Sequence, residues 1–80
     1  SINRELMLIK VKYNTENRRD IMENCQIMNA QIVDMSKNMM VIQICDTSER
    51  IELFIEMLRS VSIVEIARTG TVALTKCKEQ

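Results

Sequence analysis

The hydrophobic period changes along this chain in an order that few folds can satisfy. Apolar residues alternate from Arg4 to Tyr13 and then recur with helical spacing to about Met28. Two more alternating segments follow, then a second helical segment to about Arg59 and a last alternating one. The order strand, helix, strand, strand, helix, strand is that of the split βαβ, or ferredoxin-like, arrangement. We therefore expect an α+β fold, a βαββαβ sandwich in which a four-stranded antiparallel sheet carries both helices on one face.

The first predicted strand has two unequal faces. One face is apolar throughout, and it holds Met7, Ile9, Val11 and Tyr13. The opposite face begins with Leu6 and Leu8 and ends with Lys10 and Lys12. Since both helices cover one side of the sheet, the half-apolar side is left bare in an isolated copy. We expect a homodimer that covers this open face or a sheet edge.

The helical segments carry start signals and narrow apolar stripes. Asn14 is the predicted cap of the first helix, and Thr47 or Ser48 that of the second. The predicted buried stripes are Ile21, Met22, Cys25 and Met28 in the first helix, and Ile51, Phe54, Ile55 and Leu58 in the second. Between them, 30–35 and 39–45 read as a hairpin, with Asn38 able to adopt a positive φ in its turn.

The decapeptide 65–74 holds the only glycine of a chain without proline. In strand register Arg68 points the same way as Ile66 and Gly70, and Gly70 can take the positive φ that a turn or bulge requires. Two interpretations of Arg68 stay open. It contacts a partner subunit or symmetry mate, or it pairs with a nearby acid, such as Glu65 or Asp34. The candidate partner interface comprises Arg68, Thr69, Gly70, Leu6 and Leu8.

The composition argues against most kinds of chemistry. The chain has no histidine, and its three cysteines form no CxxC pair, which makes a zinc site or a histidine-assisted nucleophile a poor interpretation. The carboxylates of Glu52 and Glu56 fit a solvated helix face better than acid–base catalysis. A net charge of zero and two aromatic residues disfavour nucleic-acid binding. No segment is apolar enough to cross a membrane. We predict no catalytic, cofactor-binding or metal-binding residues.

The size of the chain points to a partner. Eighty residues make one small domain, and a chain of this length buries only about 60% of its unfolded surface. The core must be aliphatic, because the chain has one phenylalanine, one tyrosine and no tryptophan. We expect one domain over 1–80, with an ordered core at about 4–75, a polar tail at 76–80, and help from a second copy or a neighbouring domain.

Four segments in order resemble one known family. Residues 4–11, 30–36 and 51–58, and the closing stretch Glu65-Ile66-Ala67-Arg68-Thr69-Gly70 followed by Val72-Ala73-Leu74, are similar to the C-terminal domain of the acetolactate synthase (acetohydroxyacid synthase) small regulatory subunit. The sequence departs from that family in two places. Thr71 stands where a basic residue usually follows the glycine, and Ser60-Val61-Ser62 stands where Pro-Phe-Gly usually precedes the last strand.

The resemblance implies a non-catalytic, ACT-like domain without a cofactor. The family's small subunit activates a catalytic large subunit that depends on thiamin diphosphate, and it confers feedback inhibition by branched-chain amino acids, commonly valine. The family's effector site lies mainly in an N-terminal ACT domain. Because the resemblance is to the C-terminal domain alone, this sequence is expected to be an excised C-terminal piece. The implied location is the cytoplasm, or a plastid if the source is a photosynthetic eukaryote. The alternative function is a free-standing ACT-type sensor that binds an amino acid at a dimer interface.

Overall fold

A computed structural model describes residues 2–74 of the chain. Five strands and two helices follow one another in the predicted order, and the last predicted strand is divided into two. The elements are β1 (Ile2–Lys12), α1 (Arg18–Ile27), β2 (Gln31–Met35), β3 (Met39–Asp46), α2 (Ser48–Met57), β4 (Ser62–Arg68) and β5 (Val72–Leu74). The predicted tail at 76–80 lies outside the described residues.

The long first strand organises the sheet. The strand order is β2-β3-β1-β4, and every pairing is antiparallel. β1 lies between β3 and β4, and its first residues pair with β5. This is the ferredoxin-like topology, and it confirms the predicted fold class. β1 begins at Ile2, two residues before its predicted start, because β5 supplies a partner for residues 2–4.

The core is a single aliphatic layer between the sheet and the helices. Apolar residues of β1 and β3 face each other in register, as in the pairs Met7–Ile44 and Ile9–Ile42. Such cross-strand apolar pairs stabilise a sheet. The fully buried side chains are Met7, Ile9, Val11, Ile21, Met40, Ile42, Ile44, Ile51, Phe54 and Leu58. The predicted inward face of β1 and the predicted stripe of α2 are therefore confirmed, with Tyr13 and Ile55 partly buried at the margin of the core.

The cap of α2 is confirmed, whereas the cap of α1 was predicted too early. Thr47 precedes α2 in extended conformation, and its side chain accepts a hydrogen bond from Arg50 N. α1 begins after Asn17, and Asn14 instead organises the preceding turn, in which its Oδ1 accepts hydrogen bonds from the backbone N–H groups of Glu16 and Asn17. An asparagine can stabilise either arrangement, because its side chain bonds the backbone two or three residues later.

Two details of the helix and hairpin predictions are wrong. Met22 is 41% exposed, because Ile21, Cys25 and Met28 alone form the buried stripe of α1. Met22 follows Ile21 by about 100° around the helix, which places it at the margin of that stripe. The positive φ falls on Asn29, at 55°, and not on Asn38. Asn29 reverses the chain directly after α1, where a left-handed residue commonly ends a helix.

Irregularities in β4 and after it shape the edge of the sheet. The register of β4 against β1 shifts between Lys10 and Val11, so that Val64 is an extra residue on the edge strand. Residues 69–71 then interrupt the strand before β5. Gly70 has a φ of 78°, so the bend predicted at this glycine is confirmed. Bulges of this kind re-aim the edge of a sheet.

Candidate interaction site

The guanidinium of Arg68 joins three elements at one end of the sheet. Its Nε donates to Oε1 of Glu5 at 2.7 Å, and its Nη2 donates to Oε2 of the same carboxylate at 3.0 Å. Its Nη1 donates to Oε2 of Glu52 on α2 at 2.7 Å. Two parallel bonds to one carboxylate form the strong, directional arrangement that arginine favours. Arg68 therefore ties the end of β4 to β1 and to α2.

The two carboxylates that bind Arg68 lie in different surroundings. The side chain of Glu5 is 5% exposed, whereas that of Glu52 is 63% exposed. The hydrogen bonds with Glu5, and then those with Glu52, raise the pKa of Arg68 above its ordinary value. A buried carboxylate requires a charged, hydrogen-bonding partner, because burial removes its water. Arg68 supplies that partner to Glu5.

This geometry decides between the acids that were predicted for Arg68. Neither Glu65 nor Asp34 is its partner. Glu65 lies opposite Lys10 on the open face of the sheet, away from the guanidinium. Asp34 is on β2, three strands across the sheet from β4, or roughly 14 Å at the usual strand spacing. The ion-pair interpretation holds, with Glu5 and Glu52 as the partners.

A second ionic cluster adjoins the first. Asp46 lies directly opposite Glu5 on the neighbouring strand. Its carboxylate accepts hydrogen bonds from Nε of Arg50 and from the backbone N–H of Thr47, both at 2.8 Å, and it lies 3.5 Å from Nη1 of Arg4. Like charges directly opposite in a sheet repel each other, and the surrounding arginines offset that repulsion here. Glu5 and Asp46 thus form the centre of one charged end of the domain.

The loop after β4 is tied to the sheet by a threonine. The backbone N–H of Thr69 donates to the carbonyl of Leu6 at 3.0 Å. In return, the backbone N–H of Leu6 donates to Oγ1 of Thr69 at 3.1 Å, so that a side-chain oxygen replaces a ladder carbonyl. Further along, the hydroxyls of Thr71 and Ser48 are 3.0 Å apart, which links the loop to the first turn of α2. Gly70 lies between these two attachments, and a Cβ there would meet nothing within 4 Å.

Leu6 and Leu8 lie on the open face, as predicted. Leu8 is 38% exposed, and the exposed Ala67 lies opposite it on β4. The other half of this face carries the directly opposed pair Lys10 and Glu65. The five predicted interface residues therefore share one end of the sheet but occupy two surfaces. Arg68 turns toward the helices, and the leucines turn away from them.

The sequence interpretation undervalued Glu5, Arg4 and Glu52. Neither Glu5 nor Arg4 is among the predicted site residues, and the sequence places Glu52 on a solvated helix face. A signal for Glu5 was present, because its parity along β1 is that of Met7 and Ile9 and places it on the buried face. A carboxylate on an apolar face implies a cationic partner. No comparable signal identified Glu52, whose role depends on how α2 lies over β4.

Three further observations bear on other kinds of site. A concavity of about 440 Å³ lies on the outer surface of α1, and it is lined by Thr15, Arg18, Arg19, Met22, Glu23 and Gln26. Within residues 2–74, no three histidine, cysteine, aspartate or glutamate side chains are grouped so as to hold a metal ion. None of the helices in the described part of the chain is long and apolar enough to span a membrane.

Fold and site together define a ferredoxin-like α+β domain with an ionic cluster at one end of its sheet. Comparison with known proteins then gives the family. A family model described as the small subunit of acetolactate synthase matches residues 4–77. The chain belongs to the acetolactate synthase small-subunit family, as its four ordered segments predicted.

Individual relatives agree with this assignment. The chain is 39% identical over 79 residues to the acetolactate synthase small subunit of Bacillus subtilis, covering 99% of the chain and 46% of that protein. It is 38% identical over 76 residues to a probable acetolactate synthase small subunit of Archaeoglobus fulgidus, covering 95% and 48%. The crystal structure of the acetolactate synthase small subunit from Thermotoga maritima superposes with a TM-score of 0.84 at 33% identity, over 98% of this chain and 48% of that one. The chain spans about half the length of these relatives.

Proposed function

We propose that residues 1–80 form the C-terminal, non-catalytic regulatory domain of an acetolactate synthase small subunit. The domain helps the small subunit activate the thiamin-diphosphate-dependent catalytic subunit and transmit feedback inhibition by branched-chain amino acids such as valine. One observation carries the proposal: nearly the whole chain matches the small-subunit family in sequence and in fold. The process served is branched-chain amino-acid biosynthesis, in the bacterial cytoplasm or in a plastid.

The catalytic subunit is the proposed partner of the surface formed by Arg68, Thr69 and Gly70. All three nitrogens of the Arg68 guanidinium already donate to Glu5 and Glu52. Arg68 therefore acts mainly as a positioning residue, which holds β4, β1 and α2 in one arrangement beneath the loop. Thr69 and Gly70 are exposed, and they supply the surface that a partner meets.

A homodimer through the open face is the second part of the proposal. Leu6, Leu8 and Ala67 give that face an apolar half, and Lys10 and Glu65 give it a balanced charged half. A second copy removes the apolar half from water without burying unbalanced charge. Leu8→Glu should then lower the molar mass measured by light scattering. Leu53→Glu should not, because Leu53 is an exposed residue of α2, on the opposite side of the sheet.

The regulatory role is tested with the whole small subunit and its catalytic subunit. Arg68→Met should weaken association and reduce the stimulated rate of acetolactate formation. Arg59→Met is the matched control, because Arg59 is 78% exposed and pairs only with Glu56 in the described structure. Circular dichroism must first show that both variants are folded. Wild-type association by folded Arg68→Met would remove Arg68 from the interface, and turnover by this chain alone would overturn the non-catalytic role.

Calorimetry with valine, leucine and isoleucine separates the proposal from the alternative. A regulatory domain whose effector site lies elsewhere in the small subunit should release no binding heat with any of the three. Saturable binding of one of them by the 80-residue chain would favour a free-standing sensor.

A further inference from the structure

The first residues of β1 have fewer neighbours than the rest of the strand. β3 begins to pair with β1 at Glu5, and β4 begins at Met7. Residues 2–4 therefore pair only with β5, through three residue pairs. In the described part of the chain this is a two-stranded ribbon that extends the sheet at one end. An isolated two-stranded ribbon is marginally stable at best in water.

The loop before β5 is attached to the domain on both sides of Gly70. The hydroxyls of Thr71 and Ser48 make one hydrogen bond, and it is exposed. Exposed hydrogen bonds contribute little net stability, because water replaces them when they break. On the other side of Gly70, the paired bonds between Thr69 and Leu6 anchor the loop to the sheet. Gly70 lies between an attachment to β1 of two hydrogen bonds and an attachment to α2 of one. Its φ is 78°, and a Cβ there would meet nothing within 4 Å.

We propose that β5 is a strap that opens by local unfolding about Gly70 while the sheet β2-β3-β1-β4 stays folded. The hydrogen bond between Ser48 and Thr71 is its latch. Opening frees both edges of residues 2–4 and separates the loop from α2. The Arg68–Glu5 pair lies before the pivot and stays closed. A partner that meets Thr69 and Gly70 only in the closed arrangement would shift the population toward closure by its difference in affinity for the two states.

Amide hydrogen exchange followed by NMR on the free chain tests the strap without any partner. This test is therefore independent of the proposed function. Regions that open locally exchange with little dependence on urea, whereas core amides exchange through global unfolding and accelerate with urea. We expect residues 2–4 and 72–74 to be protected at least about tenfold less than residues 7–11, and to show no urea dependence at low urea. Equal protection and equal urea dependence in the two groups would overturn the proposal.

Two serine variants test the latch. Ser48→Ala should accelerate exchange at residues 72–74 by roughly two- to tenfold, the effect of losing one exposed hydrogen bond, and leave residues 7–11 unchanged. Ser60→Ala is the control, since Ser60 is an exposed serine in the turn after α2; it should change neither group. Equal acceleration of both groups in Ser48→Ala would show that β5 and the core open together and would refute the strap. Unchanged exchange at 72–74 would refute the latch.

Discussion

Replacing Arg68 by methionine should destabilise the domain mainly because the buried carboxylate of Glu5 loses its ion-pair partner. In the described structure, Arg68 is the donor to both oxygens of Glu5, whose side chain is 5% exposed. Breaking a buried ion pair from one side costs about 3–5 kcal/mol, because the remaining charge has neither water nor a partner. The side chain of Arg68 is 29% exposed, so some water reaches Glu5 after the change. We therefore expect a loss near the lower end, about 3 kcal/mol.

The contribution of Glu52 should be much smaller. Its side chain is 63% exposed, although its hydrogen bond to Arg68 is short at 2.7 Å. Exposed ion pairs contribute about 0–1 kcal/mol, so Glu52→Gln should lower stability by less than about 1 kcal/mol. Arg68→Met and Glu52→Gln thus separate the buried half of the cluster from its exposed half.

The assay is urea unfolding at pH 7, followed by far-ultraviolet circular dichroism. A domain of this size has a total stability of roughly 4–12 kcal/mol, so the loss in Arg68→Met is a large fraction and the variant needs a stabilising osmolyte in every sample. The double variant Glu5→Met/Arg68→Met removes both charges and should be more stable than Arg68→Met alone. The reasoning is refuted if the double variant loses the sum of the two single losses, or if Arg68→Met and Glu52→Gln lose equal amounts.

Three other variants test separate parts of the structure. Thr47→Ala should lower stability by about 1 kcal/mol, since the backbone N–H of Arg50 loses the hydrogen bond that caps α2. Thr15→Ala, in the turn before α1, should leave stability unchanged. Equal urea midpoints for the two variants would contradict the stabilising role of the cap. Gly70→Ala should destabilise the closed loop by about 1 kcal/mol, because alanine disfavours the left-handed backbone at this position, although its Cβ would meet no neighbour. Gly70→Asn should destabilise it by less. If the alanine variant has unchanged stability and unchanged hydrogen exchange at residues 72–74, then φ at residue 70 is not constrained. Burial raises the pKa of Cys25 from 9.0 to about 11. As the pH rises, the thiol therefore loses its proton in the unfolded chain before it does so in the folded chain. The free energy of unfolding should be unaffected by this thiol below pH 9 and should fall by up to about 2–3 kcal/mol as the pH rises to about 11. Cys25→Val should show a shallower fall over that range, and identical slopes would rule out Cys25 as the cause.

The departures from prediction share one cause, which is that local patterns do not report distant neighbours. The apolar faces of β1 and α2 were predicted correctly because burial follows the period of each element. The cap of α1 was misplaced because Asn14 and Asn17 are both able to begin a helix and only the turn between them decides. Met22 was misassigned because it lies at the margin of a stripe, where packing with a neighbouring element sets the exposure.

The amino-acid sequence by itself determined the order of the elements, the buried faces, the bend at Gly70 and the family. Each of these follows from periodicity, from the conformational freedom of one glycine, or from ordered similarity along the chain. Only the tertiary structure decided what Arg68 does. Its main partner, Glu5, is 63 positions away, and the two meet because β4 lies beside β1 with Met7 opposite Arg68. Three features of the tertiary structure bring Arg68 to its partners: the strand order, the bulge at Val64 and the placement of α2 over the sheet. No local sequence pattern reports any of them.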